Sequence, residues 1–494
     1  DARASACSAF SCGDSHMHSR LSTVLKANDI RGVYPDELDG PTAYAIGRAI
    51  PRALNASRVA VARDARLSSP ELYAALIAGV EAGGGTTGGL GMCPTEYLYY
   101  ALGRMDEFDL GVMVTASHNP PRYNGLKLCG ASAQPVGSEA LKRLLDHVEL
   151  DESRPAVEPD EAPAQTLSAG PLYLQYALRR VDLPGTVPDM KVVVDPGNGV
   201  AGVMWKLIAE KTGVEPLKMN FEPDGNFPAH LPDTSKAKNL AALQQAVTDS
   251  GARLGLAYDG DSDRVAVVTA DGSIMQAEEV AVAVGNRVLE GERDGRIALS
   301  MAASRNVLDA LREQGRPPVL VPVGHSKVKS ALRANEDVAF AAESSGHFYY
   351  REFFCCDSTL LTTLHLLALA EAGKLQETTQ GLQRGWRRPR AQPSFHYADP
   401  DKARAACLRA ARQMLSRYAD PREIICERDG AIHRHCVPQD VESADGVRVD
   451  YADWWFCVRP SGTEPKVRLS VESRDEPALQ RRMAEIEDLF QGAP

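Results

Sequence analysis

Val192-Val-Val-Asp195-Pro-Gly197-Asn-Gly199, leading into a helical pattern over 201–210, is the stretch that decides the fold. An apolar run ends in a glycine-bearing turn and a helix follows, which is how α/β proteins are written in sequence. The unit occurs earlier as Val59-Ala-Val-Ala-Arg-Asp64, before a helix opened by Ser68-Ser-Pro-Glu71. It occurs again as Val319-Leu-Val-Pro-Val-Gly324-His-Ser326, before a helix over 327–334. This repetition predicts parallel or mixed sheets with helices on both faces, and ligands at the carboxyl ends of the strands.

Around these units the 494 residues are 44% hydrophobic and 24% charged, enough for three or four domains of ordinary size. A net charge of −11, which the one short basic run at 384–390 does not offset, argues against nucleic acid and membrane surfaces as partners. No window of about 18 apolar residues is present, so no membrane span is predicted. The ten cysteines form no C-x-x-C pair, neither a zinc set nor a disulfide framework, which fits a reducing cytoplasm. His433, His435 and Cys436 lie close together, lack a second ligand cluster, and read as solvated loop residues. The Ala/Ser/Cys-rich start, 1–18, lacks the pattern of a signal peptide and reads as a disordered extension or expression remnant. Two stretches read as linkers: acidic, Pro-rich 151–171, and 374–393 with its Arg384-Gly-Trp-Arg-Arg-Pro-Arg390 run. After them come a helix over 401–418, strands over 446–451 and 455–459, and a last helix over 477–490, a smaller α+β domain.

Four loops carry chemistry. In Thr115-Ala-Ser-His-Asn-Pro-Pro121, after the apolar run 110–114, Asn-Pro-Pro forces the chain out of the strand and leaves Ser117 at the tip. His118 and Lys127 supply nearby acid/base groups for a nucleophile; a simple helix cap is the bland alternative. It is no hydrolase elbow, since Thr115 and Asn119 stand where that motif needs glycines. In Asp259-Gly-Asp-Ser-Asp-Arg264, set between the apolar runs 254–257 and 265–268, three alternating carboxylates repel one another unless a divalent cation gathers them. Oxygen-only ligands favour Mg²⁺ or Ca²⁺. An EF-hand fails, because Arg264 stands where glycine is required and Ala270 where a bidentate Glu belongs. Glu343-Ser-Ser-Gly-His347 offers Glu, Ser and His side chains and a glycine by which a sugar can approach the backbone. Arg459-Pro-Ser-Gly-Thr-Glu-Pro465 reads as a phosphate cradle of one guanidinium, two hydroxyls and backbone N–H groups, against the alternative of an ordinary hairpin turn.

These four loops, in this order and spacing, resemble the α-D-phosphohexomutase family, which includes phosphomannomutase and phosphoglucomutase. The likeness runs from about Leu21 to the end of the chain. Further matches are Asn28-Asp-Ile-Arg-Gly32, Arg63-Asp-Ala-Arg-Leu-Ser-Ser-Pro70, Gly91-Met-Cys-Pro-Thr95, Asp224-Gly-Asn-Phe-Pro228 and Gly324-His-Ser326. The resemblance implies three similar mixed-sheet α/β domains plus a smaller C-terminal α+β domain around a central cleft. Their expected spans are 20–165, 166–273, 274–385 and 386–494, after an extension over 1–19. It implies that Ser117 is a phosphoserine and that Asp259, Asp261 and Asp263 bind Mg²⁺ together with its phosphate. Arg31, His118, Lys127 and His325 would stabilise charge or move protons. Arg264, Glu343, Ser345 and His347 would face the sugar, while Arg459, Ser461, Gly462 and Thr463 hold the phosphate that is not reacting. Three positions depart from the family pattern: Asn28 for a frequent Tyr, Ala302 for a substrate-binding Lys of some bacterial members, and Ala342 for a frequent Gly.

The implied activity interconverts hexose 1-phosphate and hexose 6-phosphate, of mannose or glucose, through a hexose 1,6-bisphosphate that also serves as activator. The partner is a small-molecule phosphosugar, and the protein a cytoplasmic monomer or dimer. Phosphoglucosamine mutase is the nearest rival; a non-catalytic sugar-bisphosphate sensor and a metal-dependent phosphatase are the readings from other classes.

Overall fold

The structure is a computed structural model and describes residues 23–26, 29–105, 107–149, 165–183, 189–292, 294–382, 384–389, 393–461 and 465–491. The expected extension over 1–19 and positions Asn28, Gly462 and Thr463 lie outside the described residues. The chain forms two compact units, one ending at Ile274 but including Cys356–Glu371, the other formed by Met275–Cys355 and the chain from Ala372 onward.

The first unit holds two mixed sheets. In one, the strands run Ile30–Val33, Tyr123–Gly130, Leu110–Val114, Arg58–Arg63, Thr86–Met92 and Gln165–Thr166. Arg58–Arg63 lies parallel to both of its neighbours, while Tyr123–Gly130 returns antiparallel to Leu110–Val114. The other sheet runs Ile274–Met275, Val265–Thr269, Leu254–Tyr258, Val192–Asp195 and Leu217–Lys218. Val192–Asp195 is wholly buried and parallel to Leu254–Tyr258, so the deciding strand forms part of the core, as its unbroken apolar run requires. Helix Thr359–Glu371 belongs to this unit although the chain before Cys356 and after Glu371 does not; it is buried from Thr359 to Ala370, as a helix apolar on every side must be.

The second unit also holds a mixed and an antiparallel sheet. The mixed one runs Val319–Val321, Arg296–Ser300, Val338–Ala342 and Phe348–Tyr350. The antiparallel one runs Ser394–His396, Lys466–Ser473, Trp454–Pro460, Gly446–Asp450, Glu423–Arg428 and Ala431–His433, with helices Pro400–Arg417 and Glu476–Gln491 supplying residues to its core. Fully buried Arg448 pairs with Asp450, donates to the carbonyls of Met301 and Ala303, and lies 3.8 Å from the centre of the Trp455 ring.

The first linker expectation, 151–171, falls for the most part outside the described residues; the second, 374–393, needs correction. Residues 150–164 lie outside the described set, but Gln165–Thr166 is a strand and Ala169–Leu178 a helix, with Pro171 in the first turn where its missing N–H costs nothing. In the second stretch Lys374–Gly381 is a helix, begun after the left-handed Gly373 and anchored by buried Leu375. The basic run after it is also built in. The Asn306 side-chain carbonyl accepts the N–H groups of Arg384 and Trp386, Trp386 is buried, and Arg388 pairs with Glu472 at 3.4 Å. Composition suggested a linker because the buried partners of Trp386 and Arg388 lie far away in sequence.

Candidate active site

The serine loop leaves the buried strand Leu110–Val114 and re-enters the sheet as Tyr123–Gly130, so Ser117 caps no helix. Ser117 is buried, with φ at +51°, a left-handed conformation that a non-glycine residue adopts at some cost. Its N–H donates to Thr115 Oγ1 at 2.8 Å. Its hydroxyl donates to Asp259 Oδ2 at 2.7 Å and stands 3.1 Å from His118 Nδ1. Arg264, then burial, then Arg31 push the His118 imidazole well below its ordinary pKa, which favours the neutral ring. Arg31 donates to Asn119 Oδ1 at 3.3 Å and pairs with Asp29. Its strand partner is Gly125, two residues before Lys127, which places both cations on the same part of the sheet.

The acidic loop closes the hairpin between Leu254–Tyr258 and Val265–Thr269. Asp259, Asp261 and Asp263 are buried and each offers one oxygen within 4.8 Å of the others. Asp259 Oδ1 accepts the N–H groups of Asp263 at 3.0 Å and Arg264 at 3.1 Å. Lys127 Nζ lies 2.6 Å from Asp261 Oδ2 and 2.6 Å from Asp263 Oδ2. Arg264 Nε is 3.8 Å from both Asp259 Oδ2 and Asp263 Oδ1. Burial first, and then Asp263 and Asp261, push the Asp259 carboxyl well above its ordinary range. Burial disfavours the Lys127 ammonium, but Asp261 and Asp263 outweigh it and raise its pKa. Asp261 Oδ1 is buried and accepts no hydrogen bond, so a carboxylate oxygen is held out of water without compensation. That oxygen, in an all-oxygen donor set of three carboxylates, fits a hard divalent cation.

One contributor carried no assigned role in the sequence. Thr95 holds Asp261 twice, through its hydroxyl to Oδ2 at 3.0 Å and its N–H to the carbonyl at 3.0 Å. Its presence in Gly91-Met-Cys-Pro-Thr95 was the available signal; no local rule points that motif at a loop 166 residues away.

The remaining expected residues lie in the second unit. Gly324 N–H donates to Glu343 Oε1 at 2.7 Å and Tyr349 O–H to Oε2 at 2.5 Å, so the Gly324-His325-Ser326 turn is tied to the Glu343–His347 loop. Burial would raise the Glu343 pKa, but His347, Tyr349 and the Gly324 N–H outweigh it and hold the carboxyl at about 2. Ser345 Oγ lies 2.7 Å from His347 Nδ1, and His325 opens helix His325–Ala334. Arg459 is half-buried near the end of strand Trp454–Pro460, and Ser461 N–H donates to the Lys466 carbonyl at 2.8 Å. Ala302, at a departing position, is buried against Met301, Trp386, Trp455 and Cys457. Among the described residues, no helix is long and apolar enough to cross a membrane.

Comparison with known proteins gives the family. Models of phosphoglucomutase/phosphomannomutase alpha/beta/alpha domains I, II and III match residues 22–154, 171–272 and 276–385, and the model of the family's C-terminal domain matches 401–489. The chain is 33% identical over 464 residues to the phosphomannomutase/phosphoglucomutase of Pseudomonas aeruginosa (strain PAO1), covering 93% of this chain and 94% of that one. It is 31% identical to the phosphomannomutase of Escherichia coli K12 over 93% of this chain and 97% of that protein. A crystal structure of a phosphoglucomutase/phosphomannomutase family protein from Burkholderia thailandensis superposes with a TM-score of 0.78 at 29% identity, covering 96% of this chain and 98% of that one. The chain therefore belongs to the phosphoglucomutase/phosphomannomutase family, with its three α/β domains and C-terminal α+β domain. It is a phosphosugar mutase, an isomerase.

Proposed function

We propose that the protein interconverts the 1- and 6-phosphates of mannose or glucose by way of a phosphorylated Ser117 and a hexose 1,6-bisphosphate. The observation that carries this reading is the Ser117 hydroxyl, 2.7 Å from Asp259 within a buried trio of carboxylates and flanked by Lys127, Arg264 and His118. Support for mannose and glucose as substrates comes from the names of the relatives in Pseudomonas aeruginosa and Escherichia coli. The matched segments support four domains near the expected spans 20–165, 166–273, 274–385 and 386–494, although strand Gln165–Thr166 straddles the first border and strand Ile274–Met275 of the second sheet lies just past the second.

Asp259, Asp261 and Asp263 would hold Mg²⁺, with the Ser117 phosphate as a further ligand. Bound there, the ion supplies neutralisation of phosphoryl charge. The chain's own residues do the rest. In the forward step the bond between phosphorus and Ser117 Oγ breaks and one to a sugar hydroxyl oxygen forms, the hydroxyl proton passing to a base. In the return step Ser117 Oγ bonds to the other phosphorus of the bisphosphate as that phosphorus loses its bond to the sugar oxygen; His118, with Nδ1 3.1 Å from Oγ, takes the seryl proton, and the base protonated in the forward step returns its proton to the sugar oxygen. Phosphoryl transfer offers little covalent work for a protein, so positioning and charge do most of it. Lys127 and Arg31 provide positive charge beside the loop, and Arg264 favours the neutral His118 ring. We assign the Arg459–Thr463 loop to the non-reacting phosphate, and Ser345, His347 and His325 to the sugar or its proton transfers. The Glu343 oxygens are already engaged by Gly324 and Tyr349, which favours Glu343 as the residue that orders this loop for the sugar. The proposed partner is a small phosphosugar in the cytoplasm, for a monomer or dimer with hexose 1,6-bisphosphate as activator; the acidic charge balance argues against nucleic acid and membrane surfaces.

Ser117→Ala tests the proposal. It should stay folded, gain no phosphate from glucose 1,6-bisphosphate by intact mass, and lose mutase turnover. Near-normal turnover would remove Ser117 from the mechanism. A panel of mannose, glucose and glucosamine phosphates decides among the sugar branches.

A further inference from the structure

The motif Arg63-Asp-Ala-Arg-Leu-Ser-Ser-Pro70 has no part in the chemistry assigned so far, yet it lies directly beneath the serine loop. Arg66 is fully buried, and all five of its guanidinium N–H groups have acceptors. Nε donates to Asp64 Oδ2 at 3.0 Å. Nη1 donates to the carbonyls of Pro120 at 2.7 Å and Tyr123 at 2.9 Å. Nη2 donates to those of Ser117 at 2.8 Å and Asn119 at 2.6 Å. Asp64 is used as completely. Oδ1 accepts the Arg66 N–H and the Ser69 hydroxyl, and Oδ2 accepts Arg66 Nε and the Thr115 hydroxyl, the same hydroxyl that receives the Ser117 N–H. Phe227 lies 5.2 Å from the guanidinium carbon, which brings the Asp224-Gly-Asn-Phe-Pro228 motif to the same point.

A buried guanidinium is costly unless every donor is matched, and here the matching groups are four carbonyls of one irregular segment. Planar and forked, it fixes those carbonyls relative to one another in a way a flexible ammonium cannot. We propose that Arg66, locked by Asp64, is a positioning residue for the nucleophile. It holds Ser117 in its left-handed conformation with Oγ directed at Asp259, and so sets the rate of phosphoryl transfer to and from Ser117 without touching substrate. This rests on Ser117 being the nucleophile.

The test follows phosphorylation of Ser117 by glucose 1,6-bisphosphate in full-length protein, by rapid-quench intact mass, together with kcat and KM for glucose 1-phosphate. Arg66→Met and Arg66→Lys are measured per folded molecule, as judged by circular dichroism. Both should slow phosphorylation and kcat about 100-fold, the scale of a misplaced reacting group, while KM changes less than about threefold. A residue that only stabilises the fold would lower the melting temperature and leave the rate per folded molecule alone. Wild-type phosphorylation rates in either folded variant overturn the proposal, as does full recovery of kcat in Arg66→Lys, because charge alone would then suffice. Should the Arg66 variants fail to fold, Thr115→Val removes the hydroxyl that joins Asp64 to the Ser117 N–H at nearly constant volume. A slowed rate at unchanged KM supports positioning, and a wild-type rate overturns it. Ser117→Ala is run alongside: normal turnover there defeats the nucleophile assignment and this proposal with it, whereas an inactive Ser117→Ala beside fully active Arg66 variants defeats this proposal alone.

Discussion

Gly260, in the acidic loop, is where the two halves of the site press closest. A Cβ built there would lie 2.5 Å from the Ser117 carbonyl oxygen and 3.4 Å from Pro232 Cγ. Ordinary contact begins near 3.4 Å, so Gly260→Ala requires the serine and acidic loops to separate by roughly 1 Å. The obstacle is backbone, and Arg66 holds that same carbonyl at 2.8 Å, so it has little room to yield. Overpacking of this kind costs about 1–3 kcal/mol, against which a Gly→Ala change returns about 0.4–1 kcal/mol by restricting the unfolded chain. The net loss of about 1–2 kcal/mol leaves a domain of ordinary stability folded at 25 °C. Turnover is more sensitive: a 1 Å misplacement of reacting groups costs about 100-fold. Gly260→Ala should therefore melt only a few degrees lower while kcat falls about 100-fold, with the 2.7 Å approach of Ser117 to Asp259 lost. Coupled mutase assays, Mg²⁺ titration and a thermal melt give the three quantities. Wild-type kcat in the folded variant would refute the claim that contact between these loops sets the geometry.

Two further predictions concern charge. Asp261→Asn removes the charge from the oxygen that accepts no hydrogen bond and weakens the hold on Lys127; the Mg²⁺ concentration for half-maximal activity should rise at least about 100-fold, and unchanged activity in chelator would count against the metal site. Glu96 is buried among Ser358, Thr359, Leu360 and Tyr173, and burial, opposed by those hydrogen bonds, pushes its carboxyl up to about 7. Because the folded protein keeps this proton longer than the unfolded chain, Glu96 favours the folded state below about pH 4.5, and that contribution is lost as pH rises through about 7. The full swing is about 3 kcal/mol; Glu96→Gln should flatten the pH dependence of urea unfolding by that amount, and parallel curves for both proteins would sink the assignment.

Much of the site was legible because its parts are local. Three Asp residues at alternate positions between apolar runs must meet in one short hairpin, and Asn-Pro-Pro after an apolar run must break a strand near Ser117. The strand-turn-helix units are likewise short-range patterns, and the strands Arg58–Arg63, Val192–Asp195 and Val319–Val321 fall on the segments read from them. The linker reading of 374–393 failed for the complementary reason: Pro, Gly and charge mark loops only on average, and the helix Lys374–Gly381 and the buried Trp386 depend on partners elsewhere in the chain.

Sequence alone determined the kinds of groups present, the turns that present them, and the order in which they come. Tertiary structure decided which of them meet: Ser117 with Asp259 across 142 residues, Lys127 with Asp261 across 134, and Glu96 with Ser358 across 262. The physical reason is that a turn is set by sterics within a few bonds, whereas a buried charge finds its partner only when the core around it closes. That is why Arg66 reads as one more arginine in the sequence and, in the folded chain, holds four carbonyls of the Ser117 loop.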